Sequence, residues 1–375
     1  MKKFLAILSI LFIITAVYVI RVGTIRENKN QKKLAVLADK YSEERKIEEA
    51  RISGLNIYGK IFEERDIDAL IIGDSIGQSD GSTSADEKWF NLISKDVKQK
   101  YKSIITTDLI TGGSTTAVRV WVQLNNSKFT KKYDIAFICL GKNDQLSIKP
   151  EQFKIFYESI IIKLKKINPN IDIIPIIENS FVEYNDYTKV IQELSKHYKL
   201  QYADTLQVFK SSGQPYESLM KDAMHPNDSG YRYYANTIEK IICDNYTSNK
   251  KTNIDYNVLH QDTNKLANFV FNNPADSKNG FIIDNGLVGN KVGNTLTFNT
   301  TNSVAIINFT QQPKGGKFKI FIDSKLVEEI DTNKELKGNY SNLVADNLQG
   351  QHKIKIEISA IDKAGMVKIL GLSTN

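Results

Sequence analysis

The stretch DALIIGDSIGQSD, residues 68–80, joins an apolar run to a polar loop and decides how the chain is interpreted. Its apolar part, residues 69–72, is unbroken, which is typical of a strand buried on both faces of a parallel sheet. Gly73, Asp74 and Ser75 follow directly. The pattern therefore raises one question: whether Ser75 is an ordinary loop serine or a nucleophile held at the end of a strand.

Apolar runs and amphipathic patterns alternate from about residue 66 to residue 247. Strands are predicted over residues 68–73, 103–113, 133–141, 171–179 and 200–205, and helices over residues 85–101, 150–169, 190–199 and 229–246. Such alternation predicts an α/β fold, in which a parallel sheet is sandwiched by helices. We therefore assign residues 66–247 to one domain.

The pattern changes after a polar linker, residues 247–253. From residue 254 to residue 375, apolar and polar side chains alternate with a period of two, and turn residues separate the runs. In KFKIFID, for example, Phe318, Ile320 and Ile322 would face the same way. Residues 254–375 are therefore predicted to form an all-β sandwich, jelly-roll-like, as an accessory domain.

The amino terminus has the pattern of a membrane segment. Lys2 and Lys3 precede an apolar run of 17 residues, 4–20, at the short end for a transmembrane helix. A secretory signal has the same polarity but a shorter apolar core and a small-residue cleavage site. We favour an uncleaved anchor over residues 1–26, with the body of the protein outside the cell membrane. The alternative is that the segment is a signal peptide and the protein is secreted after its cleavage. Residues 27–65, which follow, are predicted to form a helical stalk or linker.

Composition narrows the classes of function. The net charge is +7, but the lysines are scattered and form no basic stripe interleaved with aromatic residues. The pattern therefore gives no reason to expect nucleic acid as a partner, whereas an anionic membrane or wall surface fits the charge. The two cysteines, Cys139 and Cys243, show neither a disulfide framework nor zinc-ligand spacing, so we expect two unpaired thiols and no metal.

Polar clusters follow the predicted strands. Residues 112–115 follow the second strand, residues 141–144 follow the third, and residues 222–226 precede the last helix. Because ligands of open α/β sheets bind beyond the carboxyl ends of the strands, these clusters and Ser75 are expected on one rim.

The residue types on this rim suit acyl transfer. His225 can remove the proton of the Ser75 hydroxyl, and Asp222, three residues before it, can orient the imidazole. Three groups can stabilise an oxyanion: the backbone N–H groups of Ser75 and Gly113, and the side-chain amide of Asn143. With Asp228, the pair Asp222 and His225 could instead suggest a metal site, which the scarcity of histidines disfavours.

These blocks resemble the SGNH (GDSL-like) hydrolases. GDSI at 73–76, GGSTT at 112–116, GKND at 141–144 and DAMHP at 222–226 match the family blocks in order and spacing. The resemblance implies a flavodoxin-like sheet, a serine acyl-enzyme and no cofactor. The glycine block leaves Gly112 open as the donor in place of Gly113, and Asp74 is expected to brace the loop.

The predicted anchor and sandwich resemble bacterial enzymes that add or remove O-acetyl groups on wall polysaccharides. The leading hypothesis is an O-acetyltransferase with an acetyl-Ser75 intermediate, a glycan acceptor and a multispanning membrane acyl exporter as partner. A carbohydrate O-acetyl esterase, with water as acceptor, is the alternative. A wall-binding scaffold with a vestigial catalytic domain is the third. Because Trp89 and Trp121 lie outside the sandwich, an aromatic glycan platform there would need Tyr or Phe.

Overall fold

A computed structural model describes residues 2–129, 131–251 and 257–375. By its contacts the chain divides into two compact units, Met1–Leu55 and Asn56–Asn375. The end of the predicted linker and the start of the predicted sandwich fall on residues 252–256, outside the described residues.

Among the described residues, helices and strands alternate as far as Thr247, and strands predominate after residue 257. The helices are α1 (Lys2–Ser53), α2 (Ile57–Phe62), α3 (Trp89–Tyr101), α4 (Ala117–Asn126), α5 (Pro150–Ile167), α6 (Asp186–His197), α7 (Thr205–Ser211) and α8 (Asp228–Thr247). The strands are β1 (Ile67–Gly73), β2 (Ile105–Thr111), β3 (Ile135–Cys139), β4 (Asp172–Ile177), β5 (Ala203–Asp204), β6 (Val270–Asn273), β7 (Ser277–Asn279), β8 (Phe281–Ile283), β9 (Leu287–Gly289), β10 (Thr295–Thr300), β11 (Ala305–Gln311), β12 (Gly316–Ile322), β13 (Lys325–Asp331), β14 (Gly338–Ala345), β15 (His352–Ile361) and β16 (Val367–Thr374).

The first unit is a single uninterrupted helix, α1, which runs through both the predicted anchor and most of the predicted stalk. Its amino-terminal part is long and apolar enough to cross a membrane, a property that a signal sequence shares. The apolar side chains of this part are exposed. Helix α1 is therefore a candidate single membrane span or signal sequence.

The predicted stalk, residues 27–65, includes the short helix α2, which the structure places in the second unit. Helix α2 belongs to the second unit, which begins at Asn56. Ile57, Tyr58 and Ile61 are buried in the same apolar cluster as strand β1. The Asn56 side chain caps α2 by accepting the Gly59 N–H at 2.9 Å. A six-residue helix is too short to show a helical period, which explains why the sequence pattern did not separate it from the stalk.

Strands β1 to β5 form one parallel sheet in the order β2-β1-β3-β4-β5. Strand β1 lies between β2 and β3, so successive crossovers leave β1 in opposite directions and open a crevice at its carboxyl end. One apolar cluster contains residues of α4, α5 and α6, and the other contains residues of α3 and α8. The predicted α/β fold is confirmed, although helices α2, α4 and α7 were not predicted.

Strands β6 to β16 form two antiparallel sheets. Their orders are β13-β12-β15-β10-β7 and β14-β11-β16-β9-β8, and β6 pairs with β16. Side chains from both sheets, among them Phe298, Phe318, Ile307 and Ile369, share one buried core. The predicted all-β sandwich is confirmed. The second unit thus contains an α/β domain, formed by α2 to α8 with β1 to β5, and a sandwich, formed by β6 to β16.

The two domains of the second unit share buried contacts. Val304 and Ile306, which belong to the sandwich region, are buried in the same apolar cluster as residues of α4 and α5. Glu158 of α5 is fully buried and accepts four hydrogen bonds, from the Tyr198 hydroxyl (2.6 Å), Leu259 N–H (2.6 Å), His260 N–H (3.1 Å) and Thr263 hydroxyl (2.8 Å). This carboxylate therefore ties the α/β domain to the segment that leads into the sandwich.

Glu158→Gln is expected to destabilise the protein by about 2 kcal/mol or more. One carboxylate oxygen that accepts two donors would become an NH₂ group that faces them, leaving buried donors unpaired. Urea unfolding measures the loss. Glu151→Gln is the control, because Glu151 lies in the first turn of the same helix and is exposed. Equal stability of the two variants would contradict the role of Glu158.

Candidate active site

Ser75 lies in the turn that directly follows β1. The Asp74 carboxylate stabilises this turn by accepting the backbone N–H groups of Ile76 (2.9 Å) and Gly77 (3.4 Å). The Ser75 carbonyl accepts the N–H of Asp80 at 3.0 Å. The buried strand and this turn together fix the position of the Ser75 side chain at the carboxyl edge of the sheet.

The three predicted triad residues form one chain of hydrogen bonds. Ser75 Oγ lies 2.9 Å from His225 Nε2, and His225 Nδ1 lies 2.9 and 3.0 Å from the two carboxylate oxygens of Asp222. Because Asp222 is an acceptor, the proton of a neutral imidazole belongs on Nδ1, which leaves Nε2 free to accept the serine proton. This is the geometry that a general base for serine requires.

The Asp222 carboxylate is held by the segment that carries His225. It accepts the backbone N–H groups of Met224 and His225, both at 2.8 Å. Desolvation acts against ionisation, but the hydrogen bonds from His225 and Met224 outweigh it and lower the pKa of Asp222 to about 2. Asp222 therefore stays a carboxylate and stabilises an imidazolium at His225.

Gly81 allows the serine loop and the histidine loop to approach each other. A Cβ atom at this position would lie 1.8 Å from the Pro226 carbonyl oxygen and 3.1 Å from the His225 Cβ. Asp228 adds a second link, since its carboxylate accepts the N–H (2.8 Å) and the hydroxyl (2.6 Å) of Thr83. Asp228 thus joins the two loops and is not part of the Asp222–His225 pair.

Asn143 lies at the same edge, after β3. Gly141 turns the chain there with φ of +125°, and a Cβ at Gly141 would lie 2.7 Å from the Phe181 ring. One hydrogen of the Asn143 amide is donated to Asp74 Oδ2 at 2.7 Å. The second hydrogen remains for a substrate oxygen, so Asp74 supports the serine turn and also orients the Asn143 amide.

The loop after β2, residues 112–116, supplies the remaining predicted donor, and we call it the oxyanion loop. Among the residues that the structure describes, no atom lies within 4 Å of where a Gly113 Cβ would be, so this side of the loop faces open space. Ser114 adopts a positive φ of 53°, and Thr116 caps α4 by accepting the Arg119 N–H at 3.3 Å. Arg119 Nη1 in turn donates to the Gly113 carbonyl (3.1 Å) and the Thr115 hydroxyl (3.0 Å).

Buried acidic groups lie beneath the site. Burial raises the pKa of Asp74 to about 6, and the N–H groups of Ile76 and Gly77 offset part of that rise. Burial also raises the pKa of Glu178 well above its ordinary range, and the charge of Asp74 adds to this. Glu178 is therefore held toward its protonated form.

Ligand atoms of Asp74, Cys139 and Glu178 lie within 4.8 Å of one another. Both Asp74 oxygens, however, accept protein N–H groups, and the Glu178 oxygens accept from the Ser180 hydroxyl (2.9 Å) and the Cys139 thiol (3.4 Å). These oxygens already have hydrogen-bond donors within the protein, so we assign the cluster no metal.

A cleft of about 750 Å³ opens beside Asn143, between the α/β domain and the sandwich. Ser114, Asn143 and Leu146 line one side. Residues of β11, β13 and β14 and of the β13–β14 turn line the other, among them Glu328, Glu335, Leu336, Tyr340 and Asn342. Leu336 is 77% exposed. The sandwich therefore forms one wall of the approach to the site.

Fold and site together define a serine-dependent acyl hydrolase domain: a parallel sheet whose carboxyl edge carries a serine, a histidine and an aspartate in hydrogen-bond contact. Residues 71–233 match the model of the GDSL-like Lipase/Acylhydrolase family. This match supports ester hydrolysis as the activity of the α/β domain. No curated protein sequence gives a significant match to the chain.

Two solved structures resemble the chain across both domains of the second unit. One is a two-domain esterase (CEX) active on acetylated mannans, with a TM-score of 0.70 at 14% identity, covering 85% of this chain and 93% of the esterase. The other is the same kind of esterase co-crystallised with mannopentaose, with a TM-score of 0.67 at 14% identity and coverages of 85% and 94%. At this identity the likeness shows a shared fold.

The structure brings the predicted residues Ser75, His225 and Asp222 into hydrogen-bond contact, but the sequence analysis missed the residues that support them. Gly81, Arg119 and Glu178 were not singled out. Gly81 falls in GQSDGS, residues 77–82, where a glycine close to two serines is the only signal. Arg119 and Glu178 act through contacts with residues that only the fold brings near.

Gly81→Ala is expected to lower kcat by about a hundredfold while the protein stays folded. The added Cβ would overlap the Pro226 carbonyl, so the histidine loop must move away from Ser75. Hydrolysis of a chromogenic acetyl ester measures the loss, and circular dichroism checks the fold. Ser84→Ala, an exposed position in the same loop, is the control. Full activity of Gly81→Ala would contradict the close approach.

Asp144→Asn tests the buried acids under the site. Burial raises the pKa of Asp144 from 3.8 to about 7, against the Ala117 N–H that its carboxylate accepts at 2.9 Å. A carboxyl with a raised pKa binds its proton more tightly in the folded state, so its contribution to stability is lost as pH rises from about 4 to about 7. The Asn variant lacks this loss.

The difference in Tm between Asp144→Asn and the wild type is therefore expected to shift in favour of the variant from pH 5 to pH 8. Differential scanning calorimetry at both pH values measures it. Asp86→Asn, at an exposed carboxylate, is expected to show no such trend. A pH-independent difference for Asp144→Asn would show that Asp144 is ionised throughout.

Proposed function

We propose that this protein hydrolyses O-acyl esters on a polysaccharide, with an acyl-Ser75 intermediate. The observation that carries the proposal is the Ser75–His225–Asp222 chain of hydrogen bonds. Asn143, a proposed oxyanion donor of the same site, lines the cleft between the two domains. The two-domain fold of an esterase active on acetylated mannans supports a glycan as the ester's alcohol part.

Each step has a group in place. Ser75 Oγ attacks the ester carbonyl while His225 Nε2 takes the hydroxyl proton. The negative oxygen then forms hydrogen bonds with the N–H groups of Ser75 and Gly113 and with the free hydrogen of Asn143 Nδ2. Collapse breaks the bond to the sugar oxygen, which takes the proton from Nε2, and the deacylated glycan leaves.

In the hydrolase, water releases the acyl group from Ser75. His225 Nε2 takes one proton from water as the water oxygen attacks the acyl carbonyl. The Ser75 oxygen then takes that proton from Nε2 as the carboxylic acid leaves. The His225 side chain is 26% exposed and the Asp222 side chain 52%, so water has access to the triad. This access supports water as the acceptor, so we name hydrolysis first and the transfer that the sequence favoured second.

An O-acetyltransferase remains the second candidate function. It is favoured by the long apolar helix α1, which would tether the site at a membrane where an acyl exporter could supply the donor. In this version a sugar hydroxyl, bound in the cleft, replaces water. Both versions place the catalytic unit outside the cell membrane, with an acylated or acceptor glycan as partner.

Activity of the full-length protein in detergent micelles tests the proposal. Incubation with an O-acetylated polysaccharide, such as acetylmannan, is expected to release acetate. Ser75→Ala should lower the rate by about a thousandfold or more, because the nucleophile is lost. Ser84→Ala is the control. Acetate release by Ser75→Ala at the wild-type rate would overturn the mechanism.

A second arm separates the two acceptors. A chromogenic acetyl ester serves as donor, with deacetylated polysaccharide present at saturating concentration. Hydrolysis predicts free acetate and unmodified glycan, whereas transfer predicts acetyl groups on the glycan by mass spectrometry, in proportion to the chromophore released. Acetylated glycan as the main product would replace the esterase with the transferase.

A further inference from the structure

Arg119 is a buried cation beside the proposed oxyanion donors. It is only 8% exposed, and among the described residues no carboxylate forms an ion pair with it. Burial lowers the pKa of its guanidinium, which the Tyr340 side chain partly offsets. A buried guanidinium needs compensating contacts, and those of Arg119 come from two different domains.

On one side, Arg119 holds the oxyanion loop. Its Nη1 donates to the Gly113 carbonyl (3.1 Å) and to the Thr115 hydroxyl (3.0 Å), and Thr115 is fully buried. These bonds fix the peptide that follows Gly113, in a loop whose next residue, Ser114, has a positive φ. These bonds therefore hold the backbone on the carboxyl side of Gly113, and they constrain the Gly113 N–H, which lies in the preceding peptide, through this residue.

On the other side, Arg119 lies against the sandwich. Its guanidinium carbon is 4.1 Å from the centre of the Tyr340 ring, a cation–π contact with the face of a residue in β14. The Tyr340 ring in turn stacks on Phe309, at 6.2 Å between centroids and 24° between planes, and Phe309 belongs to the sandwich core. The position of the guanidinium is thus set by the sandwich.

We propose that the sandwich positions the oxyanion loop through the Tyr340–Arg119 contact, so that Arg119 and Tyr340 are positioning residues for catalysis. This inference rests on the proposed function for its catalytic consequence. The ordering of the loop by Tyr340 is a separate claim and can be measured without any activity.

The first measurement is hydrogen–deuterium exchange of full-length protein in detergent micelles. Tyr340→Ala removes the aromatic face, so the amides of residues 113–117 are expected to exchange faster by about tenfold or more. Tyr340→Phe keeps the face and is expected to match the wild type. Unchanged exchange in Tyr340→Ala, or equal acceleration in Tyr340→Phe, would overturn the coupling whether or not the protein hydrolyses esters.

The second measurement is kinetics on a small chromogenic acetyl ester, which does not fill the cleft. Tyr340→Ala is expected to lower kcat about tenfold with KM changed less than about twofold, because a misdirected oxyanion donor acts only in the transition state. Arg119→Lys keeps the charge but loses the planar fork, and it should show the same loss. The kcat of the double variant, Tyr340→Ala with Arg119→Lys, should be no lower than that of the more impaired single variant, because both changes release the same oxyanion loop.

Phe321→Ala is the matched control. Phe321 has a similar contact, with Lys355 Nζ 4.3 Å from its ring centre, but it lies in the sandwich sheet that does not contain β14. Phe321→Ala should lower Tm without changing kcat or the exchange of residues 113–117. An equal fall of kcat in Phe321→Ala would overturn the coupling, because general loosening of the sandwich would then explain the effect.

The proposed function can fail separately. If the wild type and Ser75→Ala hydrolyse the ester equally, the proposed function is wrong, while the exchange result still decides the coupling.

Discussion

The parallel pairing of β1 with both β2 and β3 is the constraint on which the site depends. Gly73 at the end of β1 pairs with Thr111 of β2 and with Cys139 of β3, so the three strands end level with one another. Ser75, Gly113 and Asn143 each follow one of these ends by two to four residues. Because β1 lies between β2 and β3, Ser75 lies between the two loops that carry the proposed oxyanion donors Gly113 and Asn143. The triad histidine then needs only to reach the edge from the start of α8.

A single buried carboxylate joins these separate loops. Asp74 accepts two N–H groups of the serine turn and one N–H of the Asn143 amide, so the turn and the amide cannot shift independently. Burial disfavours a full charge at Asp74, and Glu178 and Asp144 nearby are likewise held toward their protonated forms. Burying the Asp74 carboxyl costs desolvation free energy. In return, the N–H groups that it accepts are held more firmly than an exposed hydrogen bond would hold them.

The sequence predicted the parts of the site that lie within short motifs. Ser75, Asn143, Asp222 and His225 could be identified because each residue follows a strand or precedes a helix, and because Asp222 and His225 are three residues apart. Helix α4 could not be predicted in the same way. Its sequence, AVRVWVQLNN, contains three valines, which favour strands, and spans only ten residues. Without α4, the role of Arg119 was not visible. The cleft could not be predicted from the sequence either, because Asn143 and Tyr340 lie far apart in the chain and only the fold brings them together.

The sandwich is best understood as part of the catalytic unit. A spacer or an independent wall-binding module would have its own core and few buried contacts with its neighbour. Here Val304 and Ile306 are buried among side chains of the α/β domain, and Glu158 binds the segment that leads into the sandwich. The same sandwich supplies one wall of the cleft and the ring against which Arg119 lies. A domain that only anchored the enzyme to a glycan would have no physical reason to contact the residue that holds the oxyanion loop. Its contacts are instead those expected if substrate binding and transition-state stabilisation depend on one interface.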